Sequence, residues 1–266
     1  EAGAAGHVFI LGFYRSGTTL LRRVLEAHPQ TVTLEEQDFL LRPAQKYLSD
    51  AGGLAMLATL SDEEAAAERA EYWQSIVDRG ISVKGKVLID KQPLNTIKLP
   101  LIAKLFPNAK IIFTVRDPRD VVLSSFRTHF EINAAMYELL TLEGSAAFYA
   151  SAMSLAQTMR PFVEDRLYLH RYEDLVADFD ESMTRVCGFL GLPMVPELRD
   201  FQSLKDAQEI SSQSGMQVTK KLHGESVGKW TQYREHLEPL MQELAPWTSY
   251  WGYPANDAVA LDKVSN

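Results

Sequence analysis

The sequence predicts an α/β protein in which a central parallel sheet is flanked by helices on both faces. Three observations carry that expectation. Short apolar runs recur at Val8–Leu11, Val87–Ile89 and Lys110–Val115, bounded by turn residues, as strands covered on both faces require. Segments of helical periodicity separate them. Arg15, Glu36, Lys91, Arg116 and Tyr172 each fall just past a run, where the carboxyl ends of parallel strands gather a ligand site.

The first run turns at Gly12 and Gly17 and enters a pattern with apolar Leu20, Leu21, Val24 and Leu25, which reads as strand, tight loop and helix. His28-Pro29 stops that helix, and Thr31–Leu34 forms a second strand ending at Glu35-Glu36. Residues 38–80 read as a peripheral helical insert. Within it, Glu63–Asp78 is an Ala-rich surface helix, capped at Ser61 with Glu64 three residues on. A third strand, Val87–Asp90, ends at Lys91-Gln92-Pro93, and a helix runs from Ile97 to Phe106 until Pro107 breaks it.

Lys110–Val115 is the strongest strand, ending at Arg116–Asp120, after which Val121, Val122, Ser125 and Phe126 open a helix. Residues 144–164 read as one long helix. Leu167–His170 is a further strand with Tyr172–Val176 at its end, and Asp180–Leu190 is an amphipathic helix closed by Gly191 and Pro193. Residues 200–228, weakly periodic and rich in Ser, Gln, Lys and Gly, read as a flap or a plain surface loop. A helix over Tyr233–Leu244 follows, and the tail after Pro254 frays. Repeats, low-complexity tracts and linkers are absent, so residues 1–266 are expected to form one domain.

Composition narrows the function classes. With 46% hydrophobic and 23% charged residues the chain fits a soluble globular protein. Its net charge of −8 argues against a non-specific nucleic-acid grip, and any anion site must be a local basic pocket. Cys187 stands alone, so no internal disulfide forms and no oxidising compartment is called for. No apolar run is long enough for a membrane span, and the start lacks a signal-peptide pattern. A cytoplasmic setting is expected. The opening Glu1 fits a piece of a longer protein.

Gly12 to Thr19 has the spacing G-x-x-x-x-G-T-T, that of a phosphate-binding loop, with Thr18 where nucleotide triphosphatases carry Lys. Glycines let the backbone fold round an anion, and the first amides of the helix point at it with the positive end of the dipole. Arg15, Ser16, Thr18 and Thr19 add a charged fork and three hydroxyls. An ordinary strand–helix turn accounts poorly for glycines, Arg and hydroxyls coinciding in one turn.

Phe13-Tyr14-Arg15-Ser16-Gly17-Thr18-Thr19 resembles the 5′-phosphosulfate loop of sulfotransferases that use 3′-phosphoadenosine 5′-phosphosulfate (PAPS). Arg116-Asp117-Pro118-Arg119-Asp120-Val121-Val122-Leu123-Ser124 is similar to their 3′-phosphate site. The resemblance is closest to tyrosylprotein sulfotransferases and their bacterial relatives, which often carry tetratricopeptide repeats upstream. It spans nearly the whole chain through His28-Pro29, Asp90-Lys91-Gln92-Pro93, Leu105-Phe106-Pro107, Tyr172-Glu173-Asp174, Gln217-Val218 with Lys220, and Lys229-Trp230. It implies the P-loop-like sulfotransferase fold and PAPS as cosubstrate, with no metal.

The resemblance assigns Arg15, Ser16, Gly17, Thr18 and Thr19 to the 5′-phosphate and sulfonate, Arg116 and Ser124 to the 3′-phosphate, Lys220 to closure over the nucleotide and Tyr172 to a lesser contact. It makes Glu36 the general base and Lys91, with Arg15, the groups that stabilise the leaving phosphate. The acceptor is a hydroxyl on a peptide tyrosine, a sugar, a lipid or another alcohol. No histidine matches the His base of cytosolic small-molecule sulfotransferases, which favours the Glu-based branch; His28 is expected to be structural, and Arg119 and Asp120 to make ion pairs or a cap. The animal tyrosylprotein enzymes carry a basic residue two places after the base. Here that residue is Asp38, although Arg42 matches a second basic position. The paired cysteines of secretory enzymes are missing, consistent with a bacterial protein. Two other readings compete. A P-loop small-molecule kinase is disfavoured by Thr18 and by Arg116 where a magnesium-binding acid is needed. A non-catalytic nucleotide-binding module attached to helical repeats is the third.

Overall fold

A computed structural model describes residues 2–35, 37–128, 134–203 and 226–255. Five strands form a single parallel sheet: β1 (Gly6–Leu11), β2 (Thr31–Glu35), β3 (Val87–Lys91), β4 (Lys110–Val115) and β5 (Leu167–Arg171), in the order β2-β3-β1-β4-β5. The centre is therefore β1, with β4 and β3 beside it. Gly6 to Ile10 register against Val87 to Lys91, and Val8 to Leu11 against Lys110 to Phe113. After β1 the chain fills the β2-β3 side, then crosses to β4 and β5. The crevice at that reversal lies at the carboxyl ends of β1 and β4, where open α/β sheets bind ligands.

Alternation along the strands divides the core between the two faces. Val8, Ile10, Ile89 and Ile112 meet Leu21, Val24 and Leu25 of α1 (Thr18–Glu26), together with Met183, Val186 and Leu190 further along the chain. Each such fully buried side chain contributes roughly 1.5–3 kcal/mol. Phe9, Leu11, Leu88, Ile111 and Phe113 form the other face. The helices covering that side include α2 (Leu41–Tyr47), α3 (Ala51–Thr59), α4 (Asp62–Asp78) and α5 (Leu99–Leu105).

The capping box on α4 forms as expected, Ser61 receiving the Glu64 amide and Glu64 reaching back to the Ser61 amide. The helix is not peripheral, however. Tyr72, Trp73 and Ile76 are buried in the core, and the Tyr72 hydroxyl donates to Asp90 Oδ2 on β3 at 2.8 Å. Its apolar stripe is narrow and set among alanines and acids, so composition reads as a surface helix.

Other boundaries move for identifiable reasons. Pro93 opens a 3₁₀ segment, Pro93–Lys98, ahead of α5. Next come α6 (Pro118–Phe126) and α7 (Ala134–Tyr137), and then the long helix, α8 (Leu142–Met159). Thr141 caps α8 through the Gly144 amide, and α8 gives way to 3₁₀ turns at Arg160-Pro161. After β5 come α9 (Tyr172–Ala177) and α10 (Phe179–Leu190), the latter started by Asp178 and closed by Gly191 at φ +78°. The expected Tyr233–Leu244 helix is instead a short helix, Arg234–Leu237, and a 3₁₀ turn, Glu238–Leu240, that contains Pro239, followed by a helix over Met241–Tyr250. Of the expected flap over 200–228, residues 200–203 end a 3₁₀ segment, Pro196–Ser203, with Phe201 buried, whereas 204–225 lie outside the described residues, as do 256–266 of the tail. No helix among the described residues is long and apolar enough to cross a membrane.

Candidate active site

The loop between β1 and α1 is shaped from inside. Thr96, in the 3₁₀ segment after β3, receives the Gly12 amide at 3.0 Å on its hydroxyl oxygen. The Ser16 hydroxyl donates to the Phe13 carbonyl at 2.7 Å and lies 3.0 Å from Thr114 Oγ1. Ser16 thus spends its hydroxyl hydrogen on the loop itself. Gly17 sits at φ +99°, and a Cβ there would lie 2.7 Å from Tyr172 Cδ2, so this turn accepts only glycine without displacing its neighbour. No side chain caps α1, leaving the first-turn amides and the positive end of the helix facing the crevice.

Arg15 adopts a left-handed backbone conformation at φ +64°. Its Nε donates to Ser124 Oγ on α6 at 3.1 Å, and its carbonyl accepts from Arg116 NH1 at 3.1 Å. Burial, with the neighbouring Arg116 cation adding to it, pushes the Arg15 guanidinium down to about 10, still charged at neutral pH. Arg116 follows β4 directly, packs 4.9 Å from the centroid of the Tyr172 ring and lies 3.6 Å from Asp120, while its NH2 also donates to the Ser226 carbonyl. Its buried Nε has no partner among the described residues. Tyr172 opens α9 straight after β5 and wedges between Gly17 and Arg116.

Lys91 ends β3, is fully buried, and donates from Nζ to Thr19 Oγ1 on α1 at 3.3 Å. Thr18, also buried, begins the same helix. Arg15, Gly17, Arg116, Ser124 and Tyr172 therefore meet in one cluster, and Lys91 joins the same helix start through Thr19. Glu36 and Lys220 lie outside the described residues; the residue before Glu36, Glu35, registers opposite Lys91.

The supporting residues act as the sequence led us to expect in three cases. Arg119 forms a two-pronged pair with Asp117, at 2.9 and 2.7 Å, and lies 3.8 Å over the Trp230 ring. Asp120 receives the amides of Gly228 and Trp230, each at 2.8 Å, fastening the Lys229-Trp230 turn beside Arg116. His28, buried at the end of α1, lies 3.0 Å from the Pro193 carbonyl. Sequence reasoning missed Thr96, and it missed Glu173, whose carboxylate accepts the Asp117 amide and the Tyr253 hydroxyl. Glu173 follows Tyr172 in a quoted motif, the only signal available for it. Asp38 is paired with Lys98, and Arg42 with Glu71 at 2.8 Å on the exposed surface.

A second cleft, lined by His7, Arg69, Phe106, Pro107, Asn108 and Ala109, opens where β1 and β4 begin. Its one guanidinium, Arg69, already donates to the Leu105 carbonyl, so the cation-rich crevice at the opposite end is the better anion site.

Residues 7–197 match the model of the Sulfotransferase family, and the chain belongs to that family. An uncharacterized protein of Aquifex aeolicus is 26% identical over 245 residues, covering 89% of this chain and 32% of that protein. The protein-tyrosine sulfotransferase of Drosophila melanogaster is 28% identical over 258 residues, covering 92% of this chain and 51% of the fly protein. Among solved structures, the sulfotransferase domain from the Synechococcus PCC 7002 olefin synthase is similar at a TM-score of 0.61 and 26% identity, over 86% of this chain and 88% of that one. The chain thus spans about a third of the Aquifex relative and about half of the fly protein.

Proposed function

We propose that the chain is a sulfotransferase domain that moves a sulfuryl group from PAPS to an acceptor hydroxyl by in-line displacement. One observation carries this reading. The loop at residues 12–19 and the Arg116–Ser124 segment, a hundred residues apart, interlock through Arg15–Ser124 and Arg116–Arg15 hydrogen bonds at a single rim. A ligand with an anion at each end of a nucleoside fits that arrangement. The donor set agrees: two guanidiniums, a buried ammonium, threonine and serine hydroxyls and free helix amides, with Arg116 Nε as a buried donor that a phosphate oxygen would satisfy.

In this reading Arg15, Ser16, Gly17, Thr18 and Thr19 hold the 5′-phosphate and sulfonate, Ser16 chiefly by shaping the loop. Arg116 and Ser124 hold the 3′-phosphate, Tyr172 supports both, and Lys220 closes over the nucleotide. The bound donor supplies the sulfuryl group. Glu36 takes the proton from the acceptor oxygen, which for a phenol of pKa about 10 is worth ~10²–10⁴-fold. Lys91 and Arg15 hold charge at the departing phosphate oxygen, as fixed electrostatic catalysts. Cationic side chains and amides do the neutralising that a metal does in kinases. The acceptor class stays at the level of a hydroxyl compound, since the named relatives include a protein-tyrosine sulfotransferase and a domain of an olefin synthase. A single cytoplasmic domain, with tetratricopeptide repeats upstream in the longer protein, completes the proposal.

Calorimetry with nucleotides tests it. Magnesium-independent binding of adenosine 3′,5′-bisphosphate, with little affinity for ATP, is expected. Magnesium-dependent ATP binding would favour the kinase, and binding of neither would leave a scaffold module.

A further inference from the structure

The cleft beside His7 and Arg69 has no part in the proposed transfer, yet a buried hydrogen-bond chain ties it to the end of β3. Its volume is about 210 Å³, somewhat more than the roughly 150 Å³ of an engineered cavity that holds benzene. Phe106 and Pro107 give it an apolar wall, the Phe106 ring standing edge-on to His7 at 5.2 Å. Two arginines fix that wall. Arg69 donates to the Leu105 carbonyl, and Arg166 to the carbonyls of Phe106 and Ala109 at 2.9 and 2.6 Å. A guanidinium carries a fork of N–H donors, and Arg69 has no partner besides Leu105 among the described residues.

From the cleft the chain runs inward. His7 Nε2 lies 3.0 Å from the Tyr72 hydroxyl, which donates to Asp90 Oδ2 at 2.8 Å. A phenol has one hydrogen, so the two links must run in one sense. With Asp90 ionised, Tyr72 donates to it, His7 Nε2–H donates to Tyr72, and Nδ1 is a bare acceptor. With Asp90 protonated, the carboxyl donates to Tyr72, Tyr72 donates to Nε2, and Nδ1 carries the hydrogen. Nδ1 has no partner among the described residues and is not sealed from solvent, so it opens on the cleft that His7 lines. The two senses lie close in energy. Burial raises the Asp90 carboxyl to about 7 against the Tyr72 hydrogen bond and the Lys98 and Lys91 charges, with Asp38 adding to the rise, and Asp90 Oδ1 is buried without a partner.

We propose that the cleft is a second binding site, for a small carboxylate carried on a planar ring, and that its occupancy is read at Asp90, next to Lys91. The carboxylate pairs with Arg69 and accepts from His7 Nδ1–H, while the ring lies against Phe106 and Pro107. A single cation suits one carboxylate, not a doubly phosphorylated nucleotide. That contact selects the tautomer with Nδ1 protonated, reverses the chain, and places a proton taken from solvent on Asp90. Neutral Asp90 no longer offsets the Lys91 charge, so the leaving-phosphate end of the donor site becomes more positive. The cleft assignment stands apart from the PAPS reading; only this last step rests on it.

Benzoate is the probe, and NMR of the His7 ring nitrogens reads both its binding and the tautomer. A Kd of about 1 mM is expected for so small a ligand, with the proton moving from Nε2 to Nδ1. Benzamide has the shape without the charge, and Arg69→Gln keeps an N–H for the Leu105 carbonyl; each should weaken binding by about tenfold or more. Unmoved His7 signals at about 10 mM benzoate, or equal affinity for benzamide, would overturn the site. For the link to Asp90, benzoate should tighten adenosine 3′,5′-bisphosphate binding about fivefold in calorimetry. Asp90→Asn, neutral from the start, should bind the bisphosphate at the tighter value and gain nothing from benzoate. Tyr72→Phe should bind benzoate yet lose the gain, with thermal midpoints confirming that both variants fold. No gain in the wild type, or a gain that survives in either variant, would overturn the link. A wild type that binds benzoate but no bisphosphate would sink the PAPS reading and the link, and leave the cleft assignment in place.

Discussion

Gly17→Ala isolates the local physics of the anion loop. Gly17 sits at φ +99°, where a Cβ-bearing residue carries roughly 1–3 kcal/mol of backbone strain. The new methyl would also lie 2.7 Å from Tyr172 Cδ2 and 3.4 Å from Tyr172 Cβ and Cγ. Forcing an extra carbon into a packed site costs typically ~1–3 kcal/mol. The two add to a destabilisation of about 2–6 kcal/mol, or a fall in thermal midpoint of roughly 5–20 °C for a chain of this size. Urea unfolding followed by circular dichroism reads the loss directly. The Tyr172→Ala background removes the ring but leaves its Cβ, so there the collision part should largely vanish and the strain part remain. A Gly17→Ala protein within about 0.5 kcal/mol of wild type would refute the reasoning, since surface changes without a mechanism stay in that range. So would a cost unchanged by removing the ring.

Three further outcomes are expected. Burial pushes the Asp90 carboxyl up to about 7, against the Tyr72 hydroxyl that holds its ionised form. An unfolded Asp ionises near pH ~3.9, so from there to about 7 the folded protein keeps a proton that the unfolded chain has lost. Stability therefore falls as pH rises through that window, and Asp90→Asn should flatten the fall in urea midpoints; parallel profiles would contradict the assignment. Asp120→Ala leaves the amides of Gly228 and Trp230 and the Arg116 charge without their carboxylate, and should lose ~3–5 kcal/mol in the same assay, a loss under 1 kcal/mol counting against it. Glu36→Ala should keep bisphosphate affinity and abolish transfer of labelled sulfate to an acceptor, whereas surviving turnover would remove Glu36 from the base role.

Much of the frame was legible because buried parallel strands leave little choice of residue: Val8–Leu11 is apolar throughout, Ile111–Val115 is apolar except at Thr114, and both fall where β1 and β4 form. The loop at residues 12–19 was readable because an anion loop demands glycines at fixed offsets, and the Arg116–Ser124 segment through its likeness to a known pattern. Their contact was not, since nothing local in Arg15 or Ser124 says that they share a hydrogen bond. The same limit explains α4, where Tyr72 reaches Asp90 only once tertiary packing brings helix and strand together. It also explains the C-terminal region, where Trp251 stacks on Phe113 at 5.6 Å and Pro239 divides a stretch whose apolar spacing alone suggested one helix. Thr96 and Glu173, both structural ties to the site, carry no sequence signature beyond their neighbours.

The most direct measurement is a crystal structure with adenosine 3′,5′-bisphosphate bound. The 5′-phosphate should rest on the amides after Gly17 beside Arg15, and the 3′-phosphate should lie within hydrogen-bond distance, about 3 Å, of both Arg116 and Ser124. A nucleotide bound at one end only, with its other phosphate in solvent, or one seated at the His7–Arg69 cleft, would contradict the account.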